Sequence, residues 1–307
     1  MGRYLVRRVL LFIPVFLGAT FLIFALVFLI PGDPIRALAG DRQMSQSTLT
    51  ALRDRYNLDE PFLTQYGLYV GGIVQGDFGT DFRGREVTEI MSERIPVTFR
   101  LALYAFIFEL ILGILAGILA GIRKGGFMDN LVLVSTTAVI SIPIFVLAFI
   151  AQIWLGVEWH IFPVAGIREG NWSYFLPAIV LGSVSLAYIA RLTRTSLVEN
   201  LRADYVRTAT AKGLRRRRVV GVHALRNSLI PVITYLGVDL GALMGGAIIT
   251  ETVFNLPGLG RAVFDAVGRQ EGTVVVGIVT FLVLIYMVSN LLVDVMYAVL
   301  DPRIRYD

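Results

Sequence analysis

What most constrains this chain is a series of apolar runs, each about as long as a bilayer is thick. Residues 9–30 form 22 consecutive positions without a charged side chain. A helix needs roughly 20 such residues to cross the hydrocarbon core. Comparable runs follow at residues 101–122, 131–157, 174–190, 228–250 and 273–300. Within lipid only helices and closed barrels satisfy every backbone polar group, and runs of this length and continuity are helical. The expected fold is therefore an all-α polytopic membrane protein of six transmembrane helices. The first run is too long for a signal peptide and no small-residue cleavage site follows it, so it reads as a retained span. Three units are expected: an N-terminal arm and first span (1–30), an external helical segment (31–96), and a five-helix core (97–307) with a polar loop at 191–228.

Charge gives the orientation. The chain holds 28 Lys and Arg against 23 Asp and Glu, and ten of the basic residues fall between Arg191 and Asn227. Short loops rich in Lys and Arg stay on the cytoplasmic side. With that loop inside, both termini are cytoplasmic and the segment between the first two spans is external. Trp154, Trp159 and Trp172 then cluster at an external turn, at the headgroup level that indole rings prefer. The basic excess is membrane topology, so no nucleic-acid partner is implied. With no Cys and only His160 and His223, neither a thiolate site nor a histidine metal site is expected. No phosphate-cradling Gly-Lys loop is present. No catalytic residue, bound cofactor or metal is assigned to the chain.

In the external segment, Leu49, Leu52 and Tyr56 suggest one short amphipathic helix. Pro61 opens another, with Tyr66, Tyr69, Val70 and Ile73 on its apolar side. This segment is either a lid over the helix ends or a receiving surface for an external protein.

The polar loop has structure of its own. Leu201 to Lys212 carries helical spacing, with Leu201, Tyr205, Thr208 and Lys212 on one side and Val206 and Ala209 widening it. Gly213 ends that helix as a residue free to take positive φ, and four arginines lead into a second helical piece. From the residues alone this is either a docking element for a soluble partner or a purely topogenic loop. Two glycine ladders, Gly113/Gly117/Gly121 and Gly237/Gly241/Gly245, mark faces for close helix packing. Glu109 and Asp239 are acids well inside spans, where charge is costly and faces a cavity or a partner. Asp239 points away from its ladder and is a candidate for the substrate path. Glu109 is expected buried against a neighbour. A stand-alone secondary carrier or channel, with Asp239 binding a coupling cation, is the alternative class.

The run Asp204-Tyr205-Val206-Arg207-Thr208-Ala209-Thr210-Ala211-Lys212-Gly213, followed by His223-Ala224-Leu225-Arg226-Asn227, resembles the EAA coupling loop of ABC-transporter permeases. Arg207-Thr208-Ala209 stand at the Glu-Ala-Ala triplet, Gly213 at its glycine, and Leu225-Arg226 where Leu-Pro is usual. This form is similar to the first permease of the dipeptide/oligopeptide/nickel importer group. Ile30-Pro31-Gly32-Asp33-Pro34, Tyr56-Asn57-Leu58-Asp59-Glu60-Pro61 and Gly76-Asp77-Phe78-Gly79 resemble the same group, in the same order. So does Glu251-Thr252-Val253-Phe254-Asn255-Leu256-Pro257-Gly258, the start of an external gate segment dipping toward the path. The resemblance implies a permease without its own ATPase motif, in the cytoplasmic membrane of a bacterium. It implies a heterodimer with a second homologous permease and two ATP-binding subunits supplying ATP and Mg. An external substrate-binding protein would deliver peptide. The implied coupling residues are Asp204, Tyr205, Arg207, Thr208, Ala209, Lys212, Gly213 and Leu214. Glu251, Phe254, Pro257 and Gly258 are the implied gate residues.

Overall fold

A computed structural model describes residues 2–29 and 59–300. The expected helix around Leu49, Leu52 and Tyr56, the Pro31–Pro34 stop and the terminal Asp301–Arg305 stretch lie outside the described residues. Twelve helices are used here: α1 Gly2–Phe28, α2 Phe62–Val74, α3 Val87–Ile122, α4 Phe127–Ser141, α5 Ile144–Ala151, α6 Phe175–Asn200, α7 Asp204–Ala211, α8 Arg216–Arg218, α9 Leu225–Ser228, α10 Ile230–Val253, α11 Leu259–Gly268 and α12 Gly272–Leu300. Wide π turns continue α5 through Gln152–Glu158 and join α8 to α9 through Val219–Ala224.

Among the described residues five helices are long and apolar enough to span, and the pair Phe127–Ser141 and Ile144–Glu158 makes a sixth if taken as one span. That pair is bent by 105°. Pro143 lies at the break, as its lack of an N–H and fixed φ require. The place of the bend follows from the sequence; its size does not.

Two helices are longer than their apolar runs. α3 begins at Val87, well before residue 101, and Pro96 lies inside it. Its polar first turns stand outside the bilayer, where Arg85 pairs with Glu89 at 3.3 Å and Glu93 at 2.6 Å. The segment expected to be external as far as residue 96 is therefore helical from Val87. α6 runs on to Asn200, past the residue 190 where its apolar run stops. Arg191 and Arg194 are thus helical residues and not part of a loop.

The centre of the fold is α3 against α6. Gly113, Gly117 and Gly121 are buried along the seam. A Cβ on Gly117 would lie 2.4 Å from Thr193 Cβ, and one on Gly113 2.8 Å from Ile189 Cγ2. Helices at this separation pack backbone to backbone, which only glycine allows. The second ladder is used in part. Gly237 and Gly241 face Val293 and Ser289 of α12, whereas Gly245 and Gly246 meet open space. α2 is strapped to the first and last spans by its tyrosines. The Tyr66 hydroxyl donates to the Leu17 carbonyl at 2.8 Å, and Tyr69 Oη donates to Thr280 Oγ1 at 2.8 Å.

Candidate functional site

At the cytoplasmic end, α7 shows how a polar sequence makes a presented surface. Ala203, in extended conformation, starts it, and Asp204 in its first turn complements the helix dipole. Val206 and Ala209 are buried against Leu197 of α6, with Ile118 and Ile122 of α3, Leu201 and Leu214 around them. The buried stripe is thus Val206/Ala209, and Tyr205, Thr208 and Lys212 face outward instead of packing. Arg207 also faces outward, 3.4 Å from Asp204 in an exposed pair. The Tyr205 hydroxyl reaches Asn200 Oδ1, tying the outward face back to the end of α6.

Gly213 closes the helix at φ +75°. Its N–H bonds the Thr210 carbonyl at 2.9 Å and the Leu214 N–H bonds the Ala209 carbonyl at 3.3 Å. This is the paired-bond C-terminal cap that a left-handed residue makes possible. Leu214, just beyond, returns to the apolar cluster. The glycine is required by conformation, since nothing crowds its missing Cβ.

Beneath this surface lies an anchor that the sequence reading missed. Asp129 at the start of α4 is almost fully buried and takes a two-pronged ion pair from Arg194, with Nε and Nη2 both at 2.8 Å. The Gly125 N–H adds a third bond at 2.7 Å. One turn earlier Arg191 donates to Thr136 and Thr137. Their spacing of three, which puts both on one face of an extended α6, was the available signal; as arginines they were counted as loop charge.

At the outer end of α10 the chain is knotted tightly. Glu251 is fully buried. Its Oε1 accepts from Thr98 Oγ1 at 2.6 Å and its Oε2 from the Arg261 N–H at 3.0 Å. Thr98 Oγ1 in turn accepts from the Leu259 N–H at 2.8 Å. A carboxylate from α10 and a hydroxyl from α3 thus cap the N-terminus of α11, where free N–H groups and the helix dipole favour negative charge. Gly258 is needed because a Cβ there would sit 2.2 Å from Glu251 Oε1, and Gly260 because one would meet Ile248 Cα at 2.5 Å. Phe254 is buried, its carbonyl accepting from the Gly166 N–H at 2.8 Å, and Asn255 turns the chain at φ +53°. Pro257 lies in the turn between α10 and α11.

Glu109 and Asp239, far apart in sequence, come together between α3 and α10. Glu109 is fully buried and Asp239 is 8% exposed.

The comparisons with known proteins fit this architecture. The family described as the binding-protein-dependent transport system inner membrane component matches residues 113–306, and its N-terminal counterpart matches residues 1–102. The chain belongs to this family. Among curated relatives, the permease is 39% identical to the dipeptide transport system permease protein DppB of Escherichia coli K12, over 100% of this chain and 99% of that one. It is 36% identical to DppB of Alkalihalophilus pseudofirmus and 34% identical to the oligopeptide transport system permease protein AppB of Bacillus subtilis, each over the full length of both chains. The inward-facing MetNI methionine ABC transporter shares the fold, with a TM-score of 0.52 at 18% identity over 67% of this chain and 95% of that one. A component of a binding-protein-dependent system does not work as a stand-alone carrier, so that alternative falls.

Proposed function

We propose that this permease carries peptides across the cytoplasmic membrane in an ATP-driven importer, by alternating access. Full-length similarity to dipeptide and oligopeptide permeases supports the cargo class. The observation that carries the mechanism is the build of α7. Its apolar stripe rests on the inner ends of α3 and α6, while Asp204, Tyr205, Arg207, Thr208 and Lys212 remain exposed. Such a helix takes a push from a docked ATPase and passes it to the spans it rests on. Ala209, Gly213 and Leu214 hold it in shape. Two ATP-binding subunits, one on each permease, supply ATP and Mg.

A second homologous permease completes the path. Ala242, Gly245 and Gly246 leave a smooth exposed face on α10, of the kind that lets a partner helix approach closely. Outside, a binding protein delivers cargo near α11, whose fixed position the Glu251 knot secures. Arg207→Glu is the test. It reverses charge on the presented face without touching the core, so the importer is expected to assemble and hydrolyse ATP while peptide uptake is lost. Normal uptake in that variant contradicts the reading.

A further inference from the structure

The pairing of Glu109 with Asp239 is not used by the coupling surface or the outer knot. No donor reaches either oxygen of Glu109, and the side chain it meets is the Asp239 carboxylate. Asp239 Oδ1 accepts from Ser185 Oγ of α6 at 3.0 Å, and no donor reaches its Oδ2. Tyr235, one turn earlier on α10, turns its hydroxyl toward Ser185 and Asp239. Ile189, Leu110, Ile114, Val232 and Leu236 enclose the group in apolar surface. By helix rise, Glu109 lies ~20 Å from the inner end of α3 and Asp239 ~14 Å from the inner end of α10, within a hydrocarbon core of about 30 Å.

Two carboxylates in contact at that depth cannot both stand as bare anions. Like charges side by side repel strongly where the dielectric is low, and one of them must be neutralised. Among the described residues no ion pair to Glu109 or Asp239 is formed. The nearest arginine along α6, Arg191, is spent on Thr136 and Thr137. The polar groups that α6 turns toward the pair are Ser185 and, against the Tyr235 ring, Tyr188. α12 meets α10 on another side, through Val293 and Ser289.

We propose that Glu109 and Asp239 form a binding site for one positive charge, a proton or a small monovalent cation, with the hydroxyls of Ser185 and Tyr235 completing it. Occupied, the site draws α3 and α10 together; empty, it drives them apart. Both helices lead to the coupling loop, α3 through Ile118 and Ile122 and α10 through the chain itself. A stroke that parts α3 from α10 therefore loosens the bound charge. This last step rests on the importer reading; the occupied site does not.

The test uses the complete importer in lipid nanodiscs, with infrared spectra at neutral pH and thermal unfolding in sodium, potassium or choline buffer. A bound proton gives the carbonyl band of a protonated carboxylic acid, lost in whichever of Glu109→Gln and Asp239→Asn removes the carboxyl that carries it and shifted in the other. A bound cation gives no such band but a midpoint that rises with sodium or potassium and not with choline, a response lost in both variants. If those variants do not assemble, Ser185→Ala leaves both carboxyls in place and shifts the band or weakens the cation response. Wild-type protein with neither signal, or signals that these substitutions leave unchanged, overturns the site. ATP hydrolysis that never depends on the coupling loop, with the band or response intact, overturns the importer reading and leaves the site standing.

Discussion

The outer and inner ends of the fold solve opposite problems. At the outer end the buried polar groups are turned on one another: Glu251 and Thr98 direct their oxygens to the N-terminus of α11, and two glycines let the backbone close over them. At the inner end the apolar contact is a small cluster under α7, and the polar groups are turned outward. One end is built to be held, the other to be gripped by something else. In an importer driven from the cytoplasm this is the expected asymmetry, since force enters where the surface is presented.

That contrast can be broken in graded steps. The largest effect is expected at the outer knot. Gly258→Ala places a methyl group on the Glu251 carboxylate, and overpacking together with lost caps costs about 3 kcal/mol. Thermal unfolding of the assembled importer should show a clearly lowered midpoint. A midpoint equal to wild type means the outer end is not held as described. Next comes Arg194→Ala, which strands Asp129 in its buried position. The expected loss is about 2 to 3 kcal/mol, the low side for a broken buried pair because Arg194 keeps some contact with water. Asp129→Asn combined with Arg194→Gln should restore much of the stability, and failure to do so points to packing in place of charge.

Gly213→Ala is expected to cost only about 1 kcal/mol, for a side chain forced into the left-handed region. Its effect on uptake should be greater than its effect on the unfolding midpoint, because it tilts the gripped surface. The smallest stability change belongs to Arg207→Gln. Its exposed pair with Asp204 is worth less than about 0.5 kcal/mol, so the midpoint should stay put while peptide uptake falls. A midpoint drop as large as that of Gly258→Ala erases the distinction between the two ends.

The fold was legible in the sequence wherever a rule acts within one element. Length and apolarity located the spans, Pro143 located the bend, and Gly213 announced a positive φ. The reading stopped short where polar residues continue a helix beyond the lipid. α3 starts among Glu89 and Glu93, which pair with Arg85 just upstream, and Arg94, which reaches the Gly258 carbonyl; α6 ends beyond Arg191 and Arg194, whose partners lie across the fold. The helix expected over 201–212 runs from Asp204 to Ala211; of its expected apolar side Leu201, Val206 and Ala209 pack, while Tyr205, Thr208 and Lys212 face outward, since Leu197 and Ile122 leave room for the small apolar side chains alone. Glu251 as a cap for a helix that begins after it, and Glu109 as the neighbour of Asp239, belong to tertiary placement. No local periodicity encodes either.

The most direct measurement of the central claim is photo-crosslinking from Thr208, replaced by a photoreactive residue, in inside-out vesicles carrying the complete importer. The account predicts a crosslinked product joining this permease to an ATP-binding subunit, formed only when the cytoplasmic face is present and altered in yield by ATP. A Thr208 position that reacts from the outer face, or that never joins an ATP-binding subunit in an importer active in uptake, contradicts it.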